Sequence, residues 1–267
     1  MLELFKIEWL KIRRYRTFWI LFITFLVLFP GIFYFLAYKF MGSLQTTGSL
    51  DEEVLKRMVG APFVFPKVWQ SAAYFGGIGF IVLGMLFVML ITNEVQYRTH
   101  RQNIIDGWSR LDFLKAKFTL MLFLVIVATL LMVLISLVVG AVFTHSAAEA
   151  LSGIEFAGYF ALQSLLYMMF GFFIAIFVKR TGLAVIIFIS AIVVDNILWA
   201  VFTFNGTQIG FFLPLECADS LIVNPFKPAI LERRTVPDMA LVITALGYSS
   251  LYAYVIVRYF RRTDLKT

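Results

Sequence analysis

Six long apolar stretches, separated by shorter polar ones, run through the sequence. Each is long enough for a helix that crosses a lipid bilayer, which takes about 20 residues. We therefore predict an all-α integral membrane protein with one transmembrane domain over residues 17–257. Its six transmembrane helices are expected at about residues 17–38, 68–92, 118–143, 156–178, 182–204 and 239–257. No small-residue cleavage site follows the first stretch, so we expect a retained anchor rather than a secretory signal.

The composition agrees with a membrane protein and excludes several other classes. Of the 267 residues, 61% are hydrophobic and 15% are charged, against about 45–50% and about 25% in soluble proteins. Because a soluble domain needs polar residues to cover its surface, a soluble enzyme and a disordered regulator are both excluded. The single cysteine, Cys217, excludes an intrachain disulfide, and two distant histidines argue against a metal cluster.

Positive charge lies mainly on one side of the predicted topology. Sixteen of the 23 Lys and Arg residues lie in the N-terminal segment, the connections 93–117 and 179–181, and the C-terminal tail. By the positive-inside rule, these segments and both termini are cytoplasmic. The net charge of +7 therefore reflects membrane orientation, and we expect the lipid bilayer, with no nucleic acid, among the partners.

The segments outside the six stretches differ in character. Residues 1–16 carry an imperfect apolar stripe with Trp9, which predicts an amphipathic elbow helix on the cytoplasmic surface. A continuation of the first span into water is the alternative. Residues 258–267 form a basic cytoplasmic tail, and the outer loops are expected at 39–67, 144–155 and 205–238.

The last outer loop, 205–238, is too apolar for a free loop and is interrupted by four prolines. We expect it to form short helices that lie in the outer leaflet or re-enter the bundle, because irregular backbone at membrane depth must be covered by protein or line a wet cavity.

Two polar residues, Asp195 and Asn196, fall inside the fifth predicted span. A carboxylate within a membrane is costly and often marks a pathway or a buried partner. We therefore regard Asp195 and Asn196 as a possible substrate path or gate. A structural carboxyl, bonded to polar groups such as Gln163, Ser164 or Ser190, is the alternative.

The connection over residues 93–117 carries the most specific signal in the sequence. It contains one glycine and no proline, and apolar residues recur in it at helical spacing: Ile104, Ile105, Trp108 and Leu111. A helix with such a stripe and flanking arginines is suited to docking in a groove of a partner. The alternative is a solvated loop that serves only the topology.

This connection is similar to the cytoplasmic loop in permease subunits of ABC-2 type ABC transporters. In that family an acidic residue ends the second span, a Thr-Arg pattern follows, and Ser-Arg precedes a Lys that opens the third. The matching residues here are Glu94, Thr99, Arg101, Ser109, Arg110 and Lys117. Arg98-Thr99 replaces the usual Gly-Thr. The segment with Glu8, Lys11 and Arg13 and the tail from Arg258 to Lys266 also resemble the family.

The resemblance implies a permease subunit of an exporter in the bacterial plasma (inner) membrane. It would pair with a second permease subunit, as a homo- or heterodimer, above cytoplasmic ABC ATPase subunits. The loop 94–117 would be the coupling helix that docks in the ATPase. The expected ATPase-coupling residues are Glu94, Arg98, Thr99, Arg101, Trp108 and Arg110.

No phosphate-binding loop and no nucleophile–base motif occurs in the sequence. We therefore expect no catalysis and no cofactor or metal in this chain, with ATP and Mg on the partner ATPase. The functional alternatives are an ATP-independent secondary transporter or channel that uses Asp195, and a membrane assembly factor that transports nothing.

Overall fold

The computed structural model describes residues 2–46, 60–97, 109–144, 149–227 and 234–262. These ranges are helical and contain no β-strand, and six of the helices are long and apolar enough to cross a membrane. The all-α, six-span prediction is therefore confirmed. The helices are α1 (Leu2–Ile12), α2 (Arg16–Thr46), α3 (Lys67–Gln96), α4 (Arg110–Phe143), α5 (Glu155–Phe177), α6 (Thr181–Phe204), a 3-10 helix (Ile209–Phe212), α7 (Glu216–Asp219) and α8 (Asp238–Arg262).

Several helices extend beyond the apolar stretches that predict them. α4 begins at Arg110, about two turns before the apolar stretch, because Ser109 caps it. The Ser109 hydroxyl accepts the backbone N–H of Asp112 at 3.1 Å, and the Asp112 carboxylate accepts the backbone N–H of Ser109 at 3.3 Å. This reciprocal capping box satisfies two N–H groups that a helix start leaves unpaired.

α3 is the central helix and packs against α2, α4, α5 and α6. Its glycines permit the close contacts. A Cβ atom at Gly76 would lie 3.0 Å from the Phe160 ring of α5, and one at Gly77 would lie 2.6 Å from the side-chain oxygen of Gln163. The small residues of this span therefore serve helix packing within the chain.

α6 is attached to the bundle along one narrow stripe. Its buried residues are Ala184, Phe188, Ile192 and Asp195. The Phe188 ring lies against Gly84 of α3, where a larger side chain would collide with it, and it is also in contact distance of Gly171 of α5. Much of the remaining helix surface is exposed and apolar, as expected for a surface that faces lipid.

The 205–238 segment contains the 3-10 helix and the short α7, as the sequence predicts. Both pack against α6 and α8, and α7 also contacts α5. Phe211, Leu215 and Cys217 are buried there. We call this end of the bundle the α7 end.

α1 is separate from α2 and packs against α4 at the opposite end, which we call the α1 end. Ile12 is buried, and Trp9 makes edge contacts with Phe18 and Phe123. The side of the membrane on which this end lies, and the position of α1 at the membrane surface, remain predictions.

Candidate functional site

A buried lysine joins three helices at the α1 end. Lys117 of α4 is 1% exposed, and its ammonium group is paired with the carboxylate of Glu8 from α1 and that of Glu94 from α3, the latter at 2.5 Å. Lys11 provides a second cation for Glu8, at 3.1 Å. The Phe113 ring lies 5.2 Å from the Lys117 ammonium. We call Glu8, Lys11, Glu94 and Lys117 the Lys117 cluster.

Charge compensation keeps Glu8 ionised in spite of its burial. Burial by itself raises the pKa of the Glu8 carboxyl, but the positive charges of Lys117 and Lys11 outweigh it, and the pKa lies below its ordinary value. A buried charge persists only when it is paired and hydrogen-bonded. Glu8 and Lys117, each 1% exposed, therefore depend on each other.

A second polar group joins the end of α3 to two other segments. The side-chain N–H of Asn93 donates to the Tyr15 hydroxyl at 2.9 Å, and its side-chain oxygen accepts from the Thr181 hydroxyl at 2.6 Å. The side-chain oxygen of Gln96 accepts the backbone N–H of Thr181 at 3.2 Å. These four residues form what we call the Thr181 junction, where α3 meets the start of α6 and the α1–α2 connection.

The structure describes only part of the predicted coupling loop. Glu94 lies in the Lys117 cluster, and Arg110 is the first residue of α4. The other expected coupling residues lie outside the described residues: Arg98, Thr99, Arg101 and Trp108. The helical character of the loop therefore stays a prediction, while both of its ends are anchored in the bundle.

Asp195 and Asn196, predicted together as a path or gate, point in different directions. Asp195 is 7% exposed, and its carboxylate accepts the backbone N–H groups of Leu215 at 3.2 Å and Glu216 at 2.7 Å. Asn196 is exposed and donates to a carbonyl of its own helix. The partners of Asp195 are thus backbone groups at the start of α7, not the polar side chains proposed from the sequence.

Further polar contacts hold α7 in place. The Asp219 carboxylate accepts from the side-chain N–H of Gln163 and from the Tyr167 hydroxyl, both at 2.7 Å. Within the α7 segment itself, the Glu216 carboxylate accepts from the Ser220 hydroxyl at 2.6 Å. Burial raises the pKa of Asp219 to about 6 and that of Glu216 to about 8.

The sequence did not reveal these partnerships at either end. One signal for Lys117 was available, because it occupies a position in the helical stripe of α4 whose other members are buried: Phe113, Met121 and Leu124. For Thr181 and Asp219, by contrast, the neighbours come from distant parts of the chain, and spacing contains no information about them.

Comparison with known families supports a transport role. A family model described as "ABC-2 family transporter protein" matches residues 4–206, about three quarters of the chain. The match includes the Lys117 cluster, the Thr181 junction and Asp195, and it ends before α7. None of the curated proteins compared with the chain matches it.

Proposed function

The chain belongs to the ABC-2 transporter family, and from this premise we propose that it is the permease subunit of an ABC exporter driven by a separate ATPase. Six membrane-crossing helices and the family together support a multi-pass membrane permease. The partner ATPase would bind ATP and Mg and hydrolyse ATP, while this chain would form the translocation path with a second permease subunit.

The observation that carries the coupling role is the rigid base of the α3–α4 connection. The Glu94–Lys117 ion pair joins the end of α3 to α4, and the Ser109 capping box fixes the start of α4. Because packed helices move as rigid bodies, a force applied to a loop with such a base moves both helices. A soft linker would absorb the same force.

The orientation proposed for the complex follows from the charge distribution. The α1 end holds most of the Lys and Arg residues and would face the cytoplasm of a bacterial cell, with the ATPase below it. The loop 94–117 would be the coupling helix, with contacts to the ATPase from Arg98, Arg101 and Trp108. α1 would lie along the membrane surface as the elbow helix.

Charge reversal in the loop tests this function. The tagged chain is expressed in its native host, and the co-purified proteins are identified by mass spectrometry. We expect an ABC ATPase with the wild-type chain and at least a tenfold lower yield of it with Arg98→Glu/Arg101→Glu, because like charge then opposes docking.

Lys227→Glu is the matched control, since Lys227 is exposed at the α7 end. It should retain the ATPase. An equal ATPase yield from all three chains would contradict the docking role of the loop, and the absence of any ATPase from the wild-type preparation would contradict the function.

A further inference from the structure

We propose that α6 is a lever that links the Thr181 junction at one end of the bundle to the contacts that hold α7 at the other. These contacts, which we call the seat of α7, come from Asp195, Gln163 and Tyr167. A displacement of the end of α3 would then change how firmly α7 is held. The link itself is a property of this chain alone. The idea that ATP hydrolysis by a partner moves the end of α3 rests on the proposed function.

The attachment of α6 allows it to move as one body. It is a continuous helix of 24 residues, about 36 Å long at 1.5 Å per residue. Its buried stripe contacts the bundle mainly through apolar side chains, Ala184, Phe188 and Ile192. Apolar contacts are not directional, so this stripe permits a small tilt of the helix.

Directional contacts are found at two levels of α6. At its first residue, Thr181 binds Asn93 and Gln96 of α3. Roughly 20 Å further along the helix, Asp195 binds two backbone N–H groups of the α7 segment. Hydrogen bonds that fix α6 relative to its neighbours thus connect the end of α3 with the start of α7.

Separation of the Asp195 carboxylate from the start of α7 costs free energy. The N–H groups of Leu215 and Glu216 belong to a helix start, where no carbonyl of the same helix can accept them. Both residues are buried. Because an unpaired buried N–H is costly, a tilt that withdraws Asp195 favours the release of α7 from its seat.

The chain contains its own reporter for this release. Cys217 is its single cysteine, lies in α7 and is 0% exposed. Burial raises the pKa of its thiol to about 12, and the thiolate is the reactive form. Alkylation of Cys217 therefore requires that α7 leaves its seat, and its rate measures how often this occurs.

The test measures the rate of Cys217 alkylation by N-ethylmaleimide in the full chain purified in lipid nanodiscs, followed by intact-mass spectrometry. We expect slow labelling of the wild type and labelling at least tenfold faster in Asp195→Leu. Thr181→Val removes the hydroxyl at the far end of α6 and should speed labelling roughly three- to tenfold.

Two controls separate the lever from a general loss of stability. Thr181→Ser retains the hydroxyl and should label at the wild-type rate. Thr129→Val removes a hydroxyl that is bonded within its own helix, and it should also label at the wild-type rate. The double variant Thr181→Val/Asp195→Leu should label no faster than Asp195→Leu, because both changes act through one contact.

Three outcomes would overturn the proposal. A wild-type rate in Thr181→Val would show that the two ends are not linked, and a wild-type rate in Asp195→Leu would show that Asp195 does not hold α7. Multiplied rates in the double variant would indicate independent destabilisation.

A final arm distinguishes this proposal from the function. In the complex with its co-purified ATPase, trapping with ATP and vanadate should change the labelling rate of the wild type and leave that of Thr181→Val unaffected. Nucleotide could leave the labelling rate of the complex unchanged while Thr181→Val still speeds labelling in the chain alone. That result would contradict coupling to ATP and support the link between the two ends of α6.

Discussion

At the scale of single residues, Lys117 is notable because it carries a positive charge in a buried position. Its ammonium group is buried 5.2 Å from the Phe113 ring, and its charge is balanced by carboxylates from two other helices. Removal of one member of a buried ion pair leaves the other charge uncompensated, at a cost of about 3–5 kcal/mol. The replacement of a whole buried pair by apolar or neutral groups costs much less.

We predict that Lys117→Met lowers the unfolding temperature sharply, because Glu8 and Glu94 then lose the buried ammonium group that they share. Glu8→Gln/Lys117→Met should recover part of the loss. The unfolding temperature is measured by tryptophan fluorescence in detergent. Lys115→Met is the matched control, since Lys115 is exposed and paired with the neighbouring Asp112; a decrease as large as that of Lys117→Met would contradict the role of burial.

The sequence indicated some of the residues that form the Lys117 cluster, but it did not indicate that they contact one another. Glu94 was predicted as a coupling residue, while Glu8 and Lys117 were noted for their resemblance to a family pattern. That the three meet in one cluster depends on how α1 folds back onto α4. A local pattern does not contain this information.

At the scale of elements, the helices follow hydrophobicity and their boundaries follow capping. The six apolar stretches gave the right number and order of spans. The start of α4 was placed too late because the Ser109 capping box lies in a polar region. The short α7 has four residues, so its position is fixed by contacts with other helices rather than by its own sequence.

The seat of α7 should respond to pH. The pKa of Asp219 is raised from 3.8 to about 6 and that of Glu216 from 4.5 to about 8. Groups whose pKa is raised on folding bind protons more tightly in the folded state, so their stabilising effect is present below the ordinary pKa values and lost as pH rises through 6 and 8.

We therefore predict that the unfolding temperature in nanodiscs falls as pH rises from about 4 to about 8 and is level above that. Asp219→Asn should remove its share of the fall below about pH 6, and Glu216→Gln should remove the fall that continues to about pH 8. Tyr167→Phe leaves the carboxyl of Asp219 in place and should keep both parts. An unfolding temperature that is constant over this range, or a profile that neither substitution alters, would contradict the assignment.

At the scale of the whole molecule, the two ends of the bundle differ in kind. At the α1 end, ion pairs and hydrogen bonds join α1, the start of α6 and the two helices that flank the α3–α4 connection. The α7 end holds a short helix by carboxylates and backbone groups. Such an arrangement fits a protein that receives a force at one end and changes shape at the other.

The large-scale features were the most predictable ones. Composition and periodicity indicated a membrane protein with six spans, and the residues around the 93–117 connection indicated the family, which residues 4–206 match. The mode of attachment of α6 could not be foreseen, because an apolar sequence reads the same whether it faces lipid or protein.

A photo-cross-link in cells tests whether the α3–α4 connection contacts an ABC ATPase, as we propose. Benzoylphenylalanine is placed at Trp108 in the loop and, as a control, at Leu151, which is 70% exposed at the α7 end. After irradiation of intact cells, we expect the chain with the probe at position 108, and not the one at 151, to form an adduct with an ABC ATPase. No adduct from position 108, or equal adducts from both positions, would contradict the claim.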